Sequence, residues 1–311
     1  MNWNNVFRAR TMGHLLGIGL VLISAASFGA MAIFGKFAYA SGISTHSLLL
    51  FRFLIAAIVM IPIALLQKRK FPRGKDLIIL VAMGLIGYAG QSFCFFTALT
   101  HLSPALLAIL LYLYPVIVAT LSFFFLKESF TGNKFIALFL AISGAILVIG
   151  LDTGGNRTGV FFGISAAVIY SLYTITGARV MGRNDAFTAS LVVITSSGFF
   201  YFIYNLKAGF FIPEQGITWL YIFAIAVIST AIAIYTYFLG IKRIGAVNAS
   251  MLSTFEPVTT MVLASLFLGQ PIGWMQAAGT ALILSSAILV ALHPKSKEAF
   301  PEQTESSANC F

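Results

Sequence analysis

One acidic residue stands deep inside an apolar stretch of this chain: Glu256, about ten residues into the run 246–268. At 1.5 Å of rise per helical residue that depth is roughly 15 Å, near the middle of a bilayer core. A carboxyl is costly to keep there, so its default meaning is functional: it can bind a solute, or take and release a proton. The bland alternative is a neutral structural acid hydrogen-bonded to a hydroxyl or a freed carbonyl. Pro257 follows it, removes one backbone donor and crowds the carbonyl four residues back, so a helix through this run is expected to kink. Ser253, Glu256 and Thr260 fall on one helical face. Tyr114-Pro115 occupies the same place in the run 104–126, with a second expected kink at Pro115. An acid and a phenol facing each other across a cavity would suit a polar or cationic solute.

Arg52 lies some six residues into the run 46–67, roughly 9 Å below its near end. It could hold an anionic group or pair with Glu256. Equally, its long stem could carry the guanidinium out to the headgroups. Tyr88, Gln91, Phe95, Tyr112, Tyr114, Tyr170, Tyr173, Tyr235 and Tyr237 could line a pathway. Packing and interface belts account better for any single ring, but Gln91 carries an amide near the centre of its run and needs a partner. No cofactor or metal is expected. His14, His46, His101 and His293 are scattered at the ends of apolar runs, with no metal-ligand spacing and no second buried acid. The chain also has no G-x-x-x-x-G-K-[ST] phosphate loop, which argues against ATP-driven work.

The elements that position these residues must cross a membrane. Of 311 residues, 59% are hydrophobic and 9% charged, against about 45–50% and about 25% in soluble domains; the mean hydropathy is +0.96. So few ionisable groups cannot cover the surface of a water-soluble chain. The net charge of +10 does not indicate nucleic-acid binding, because Lys and Arg come in short bursts between long apolar runs. Ten spans are expected at 14–35, 46–67, 77–98, 104–126, 134–150, 158–179, 187–206, 217–239, 246–268 and 274–292. With the N-terminus inside, inner segments carry fifteen Lys and Arg residues, among them Arg8, Arg10 and the Lys68–Lys75 cluster. Outer segments carry only Lys36, Arg157 and Lys207. That bias places both termini in the cytoplasm. A compact chain of this kind suits a bacterial plasma membrane.

Self-similarity organises the spans. Residues 95–148 slide onto 237–290 without a gap, at an offset of 142. In that register Phe96 meets Phe238, Pro115-Val116 meets Pro257-Val258, and Phe125-Leu126 meets Phe267-Leu268. The fold expected is therefore an all-α polytopic membrane protein of ten transmembrane helices in two five-helix repeats. Residues 1–150 form the first repeat and 151–293 the second, and 294–311 a disordered cytoplasmic tail. Five is odd, so the second repeat should be inverted in the bilayer, an arrangement that lets a secondary transporter expose one central site to each side in turn.

The run from Phe238 to Ser250, followed by Phe255-Glu256-Pro257-Val258 and Leu266-Phe267-Leu268-Gly269, resembles the EamA signature of the drug/metabolite transporter superfamily. The first half repeats it as Phe96-Thr97-Ala98-Leu99, Tyr114-Pro115-Val116 and Phe125-Leu126-Lys127-Glu128. Two departures stand out. Where the family commonly ends its fourth and ninth spans in Leu-Gly-Glu, this chain has Leu126-Lys127-Glu128 and Leu268-Gly269-Gln270. The resemblance implies a central cavity and a small-molecule substrate among amino acids, nucleosides, sugars and drugs, moved by an exporter or exchanger. Lipid is the surrounding partner; proton coupling and a homodimer are left open. A membrane-embedded enzyme and a channel are the alternatives, but the sequence holds neither a catalytic pair nor a filter-like segment.

Overall fold

The computed structural model describes residues 3–99, 101–102, 104–126, 131–149, 156–269 and 271–292. Lys127-Glu128, Gln270, His293 and the tail 294–311 lie outside them. Among the described residues the regular structure is helical: α1 (Trp3–Tyr39), α2 (Thr45–Leu66), α3 (Gly74–Ala98) and α4, in two pieces, Pro104–Leu111 and Tyr114–Leu126. Then come α5 (Gly132–Ile149), α6 (Arg157–Met181), α7 (Ala186–Ala208), α8 (Gly216–Ile244) and α9 (Ala246–Leu268), and α10 (Trp274–Leu292). Eight of these are long and apolar enough to cross a membrane, and α4 and α10 supply shorter apolar helices. Helices suit that solvent because each satisfies its own backbone polar groups. Their outward faces are apolar: Leu15, Phe124, Phe139, Phe161, Phe199 and Leu220 are all more than half exposed. Lipid, unlike water, imposes no penalty on such a surface.

Two of the helices are interrupted at equivalent places. In α4 the chain turns at Tyr112-Leu113 and restarts at Tyr114, with Pro115 in the first turn of the new segment. In α9 a 3₁₀ turn, Ser253–Phe255, precedes Glu256, and Pro257 sits in the same position. Proline is tolerated there because the first amides of a helical segment lack intrahelical partners anyway. The run expected as one fourth span is thus two helical pieces.

The 142-residue offset recurs in the packing. The backbones of α5 and α10 approach so closely that a Cβ on Gly144 would stand 2.6 Å from the Gly279 carbonyl oxygen, and the reverse holds for Gly279. Adding 142 to 144 and subtracting it from 279 gives Ser286 and Ala137, which also touch: Ser286 Oγ donates to the Ala137 carbonyl at 2.7 Å. Likewise a Cβ on Gly17 would meet Ile244 at 2.6 Å, and one on Gly159 would meet Leu102 at 2.6 Å. Both members of that second pair of contacts are related by the same offset. Small residues let helix backbones close up where no water drives them together.

Candidate functional site

Arg52 enters the bundle from α2 and does not reach for the surface; it is 3% exposed. Its Nε donates to Thr230 Oγ1 at 3.1 Å, one terminal nitrogen donates to the Tyr88 hydroxyl at 2.9 Å, and the other reaches Met31 Sδ at 3.1 Å. The cation lies 4.7 Å from the Phe53 ring centroid and 5.6 Å from that of Tyr88. Snorkelling is therefore not its state here, and no ion pair joins it to Glu256 among the described residues.

Both oxygen acceptors belong to π-helical turns. Tyr88 closes the turn Met83–Tyr88 of α3, and Thr230 lies within Val227–Ile232 of α8. A π turn inserts a residue into the helix and loosens the local carbonyl ladder. Neighbouring hydroxyls take up the carbonyls. Ser197 and Tyr201 of α7 donate to Gly84 O at 3.0 Å and Ala89 O at 3.1 Å, and Ser24 of α1 donates to Ala233 O at 2.8 Å. Thr230 Oγ1 itself donates to Ile225 O, five residues back, at 2.9 Å, leaving its lone pairs to Arg52.

Beside the guanidinium lies a cavity of about 80 Å³. Its walls are Phe28 and Met31 of α1, Arg52 of α2, Tyr88, Gln91, Ser92, Phe95 and Phe96 of α3, Leu111, Tyr112 and Tyr114 around the α4 break, Tyr170 of α6, and Glu256 of α9. The structure thus brings Glu256, Tyr114, Arg52, Gln91 and Tyr88 to one space. Tyr112 and Glu256 meet on the wall of this cavity, the phenol beside the carboxyl. Tyr114 donates to Ser250 O at 3.1 Å, tying the α4 break to α9.

Five of the residues singled out from sequence are not among these walls: Tyr173 and Tyr237 stack behind Tyr170, and Ser253, Thr260 and Tyr235 are engaged elsewhere. Ser253 Oγ donates back to Ala249 O at 2.9 Å. Thr260 Oγ1 donates to Gly29 O at 3.0 Å, joining α9 to α1. Tyr235 packs its ring on Phe187, 5.4 Å between centroids. Both hydroxyls are spent on backbone carbonyls, Ser253 within α9 and Thr260 across to α1. Thr230, Met31 and Phe28 were missed; the one available signal was that Thr230 stands 142 residues after Tyr88.

One end of the cavity is floored by rings. Tyr170 stacks on Tyr173 at 5.9 Å and on Tyr237 at 6.3 Å, and Tyr173 on Phe238 at 5.5 Å. The hydroxyls of Thr174 and Tyr237 meet at 3.1 Å. Beyond the floor, the α2–α3 and α6–α7 connections are bound together: Arg69 pairs with Asp185 at 3.1 Å and Arg183 with Asp76 at 3.0 Å. Asn184 donates to Asp76 at 2.8 Å, and Lys242 to Asn184 O at 3.1 Å. The cavity residues of α1, α2 and α3 lie in the helix halves nearer Tyr39, Thr45 and Ala98, away from these ion pairs.

Fold and site define a multi-pass membrane protein built of two repeats, with a largely apolar cavity, walled by both, into which a few polar and charged groups project. The model of the EamA-like transporter family matches residues 15–150 and again 157–292. The chain belongs to that family. Among similar proteins are the uncharacterized transporter YetK of Bacillus subtilis, 23% identical over 267 residues covering 82% of this chain and 80% of YetK, and the uncharacterized inner membrane transporter YicL of Salmonella typhimurium, 25% identical over 284 residues covering 88% and 94%. The aromatic amino acid exporter YddG of Ancylobacter novellus is 26% identical over 219 residues, 67% of this chain and 74% of that protein. A solved crystal structure, 21% identical, superposes with a TM-score of 0.77 over 91% of this chain and 98% of its own; it shares the fold. These bacterial relatives and the apolar helices mark the chain as a multi-pass inner membrane protein, and the family and its named relatives are transporters, not enzymes.

Proposed function

We propose that this protein is a secondary transporter of a small organic metabolite, an exporter or exchanger that works by alternating access. In this reading all ten apolar helices cross the bilayer, residues 1–150 and 151–293 act as inverted halves, and both termini face the cytoplasm. The observation that carries it is the cavity in which Glu256 and its offset partner Tyr114 share one space, walled by helices of both repeats. Contacts that exchange under the same offset support two interconvertible arrangements of the halves. In this reading the ring floor and the ion pairs lie between the cavity and the cytoplasm, and the cavity is expected to load from the outside.

Glu256 binds the solute or carries a proton as access alternates. Flux into liposomes by the purified protein tests this: Glu256→Gln is expected to abolish the pH dependence of transport. Full flux that still follows pH in that variant would remove the proton-coupling role. A channel would reveal itself by unitary currents in planar bilayers, which a carrier does not produce.

A further inference from the structure

Arg52 is a buried cation whose described partners are all neutral. Two are hydroxyls, and the third is a thioether, a weak acceptor for the terminal nitrogen that faces Met31. Met31 is itself a cavity wall, so this poorly satisfied edge of the guanidinium borders the cavity. A guanidinium offers five donors in a planar fork, and burial without an anion leaves much of that capacity unused. The remaining edge is held in place: Tyr88 and Thr230 fix two nitrogens, and the Phe53 ring centroid lies 4.7 Å from the guanidinium carbon. A preorganised fork of this kind matches a carboxylate, two oxygens to two N–H groups. Glu256 shares the cavity, and whenever it is ionised it disfavours a dianion more strongly than a monoanion, which ranks a singly charged carboxylate above a phosphate ester. Phe28, Phe95 and Phe96 face the same space and suit an apolar or aromatic body.

We propose that Arg52 is the carboxylate-binding residue of this cavity, and that the cavity takes organic monocarboxylates with an apolar or aromatic body. As an account of transport it rests on the function proposed above; as an account of binding it stands alone.

The test compares ligands that differ only in the carboxylate, using the purified full-length protein in detergent. 3-Phenylpropanoate and phenylalanine are set against 3-phenylpropanamide and phenylalaninamide, with thermal unfolding as the readout. The carboxylates are expected to raise the melting temperature in a saturable way, and the amides to bind at least about tenfold more weakly. Arg52→Gln is expected to abolish the carboxylate effect, and Arg52→Lys to retain part of it. Equal shifts with the amides, no shift with either carboxylate, or an undiminished carboxylate shift in Arg52→Gln would overturn the inference. The ligand comparison on the unaltered protein decides it even if the variants fail to fold. Arg52-dependent binding without flux of labelled 3-phenylpropanoate in liposomes would overturn the transport reading and leave the binding site standing. Flux of the amides equal to that of the carboxylates would do the reverse.

Discussion

Tyr88 and Thr230 stand 142 residues apart, at equivalent points of the two repeats, and share one guanidinium: Arg52 donates to the first at 2.9 Å and to the second at 3.1 Å. Both repeats place a π turn here, Met83–Tyr88 and Val227–Ile232, each carrying one of the two hydroxyls, but they differ in what meets it, because α7 has no arginine to match Arg52 of α2. One cation therefore fastens α3 to α8 through α2, and it does so next to the cavity.

Removing either hydroxyl should weaken that clamp. Thr230→Val and Tyr88→Phe are each expected to cost about 1–3 kcal/mol, the range for losing a hydrogen bond to a buried charge. Because both act on one guanidinium, the double variant should cost less or more than the sum by at least about 0.5 kcal/mol. Thermal unfolding of the four proteins in one detergent closes the cycle; strict additivity would mean the two bonds are independent.

The hydroxyls around the acid should be separable by function. Tyr112→Phe removes a hydroxyl of the cavity wall beside Glu256 and is expected to lower flux roughly two- to tenfold, equivalent to about 0.5–1.5 kcal/mol. Tyr235→Phe, whose ring packs on Phe187 outside the cavity, should leave flux unchanged. Equal losses in the two would show that the cavity wall is not special.

The close helix approach makes a stability prediction with a built-in control. Gly144→Val drives a side chain into the Gly279 carbonyl, 2.6 Å from the first added atom, and should destabilise the protein by about 1–3 kcal/mol. Gly13 has no atom within 4 Å of an added Cβ, so Gly13→Ala should be tolerated. Melting temperatures of the two variants give the comparison directly.

The ion pairs beyond the ring floor are partly exposed, with Arg69 and Asp185 side chains 27% and 38% accessible, so each is worth at most about 1 kcal/mol. Their breakage should redistribute access more than stability. Asp185 also caps α7 by accepting from Thr188 N at 3.1 Å, and Asn preserves a cap. Asp185→Asn is therefore expected to leave the melting temperature nearly unchanged while increasing thiol labelling of a Ser92→Cys variant from the cytoplasmic side. Unaltered labelling would mean that the pair does not hold the cavity closed.

Much of the architecture could be read before any coordinates. The charge-free runs and their lengths follow from the cost of burying ions in hydrocarbon, and the repeat is written into Pro115 and Pro257 and the residues around them. Helix continuity was less legible. α4 breaks at Tyr112-Leu113, a turn that no hydropathy pattern announces, and the two π turns lie within unremarkable apolar stretches. Within the site, Glu256, Arg52 and Gln91 were legible because polar groups at such depth are rare and costly, whereas Tyr88 was one aromatic among several that packing alone explained. Thr230 was not, since a threonine in an apolar run usually satisfies itself on its own helix.

By itself the sequence determined that this chain lies in lipid, roughly where its apolar helices run, and that one half copies the other. Those properties depend on transfer between solvents and on comparison along the chain, and both are local. Only tertiary structure decided that Arg52 turns inward onto Tyr88 and Thr230, that Ser253, Thr260 and Tyr235 leave the cavity, and which rings floor it. A helical face specifies a direction from one axis, whereas a partner depends on how several axes cross, and those crossings are set by close contacts such as Gly144 on Gly279.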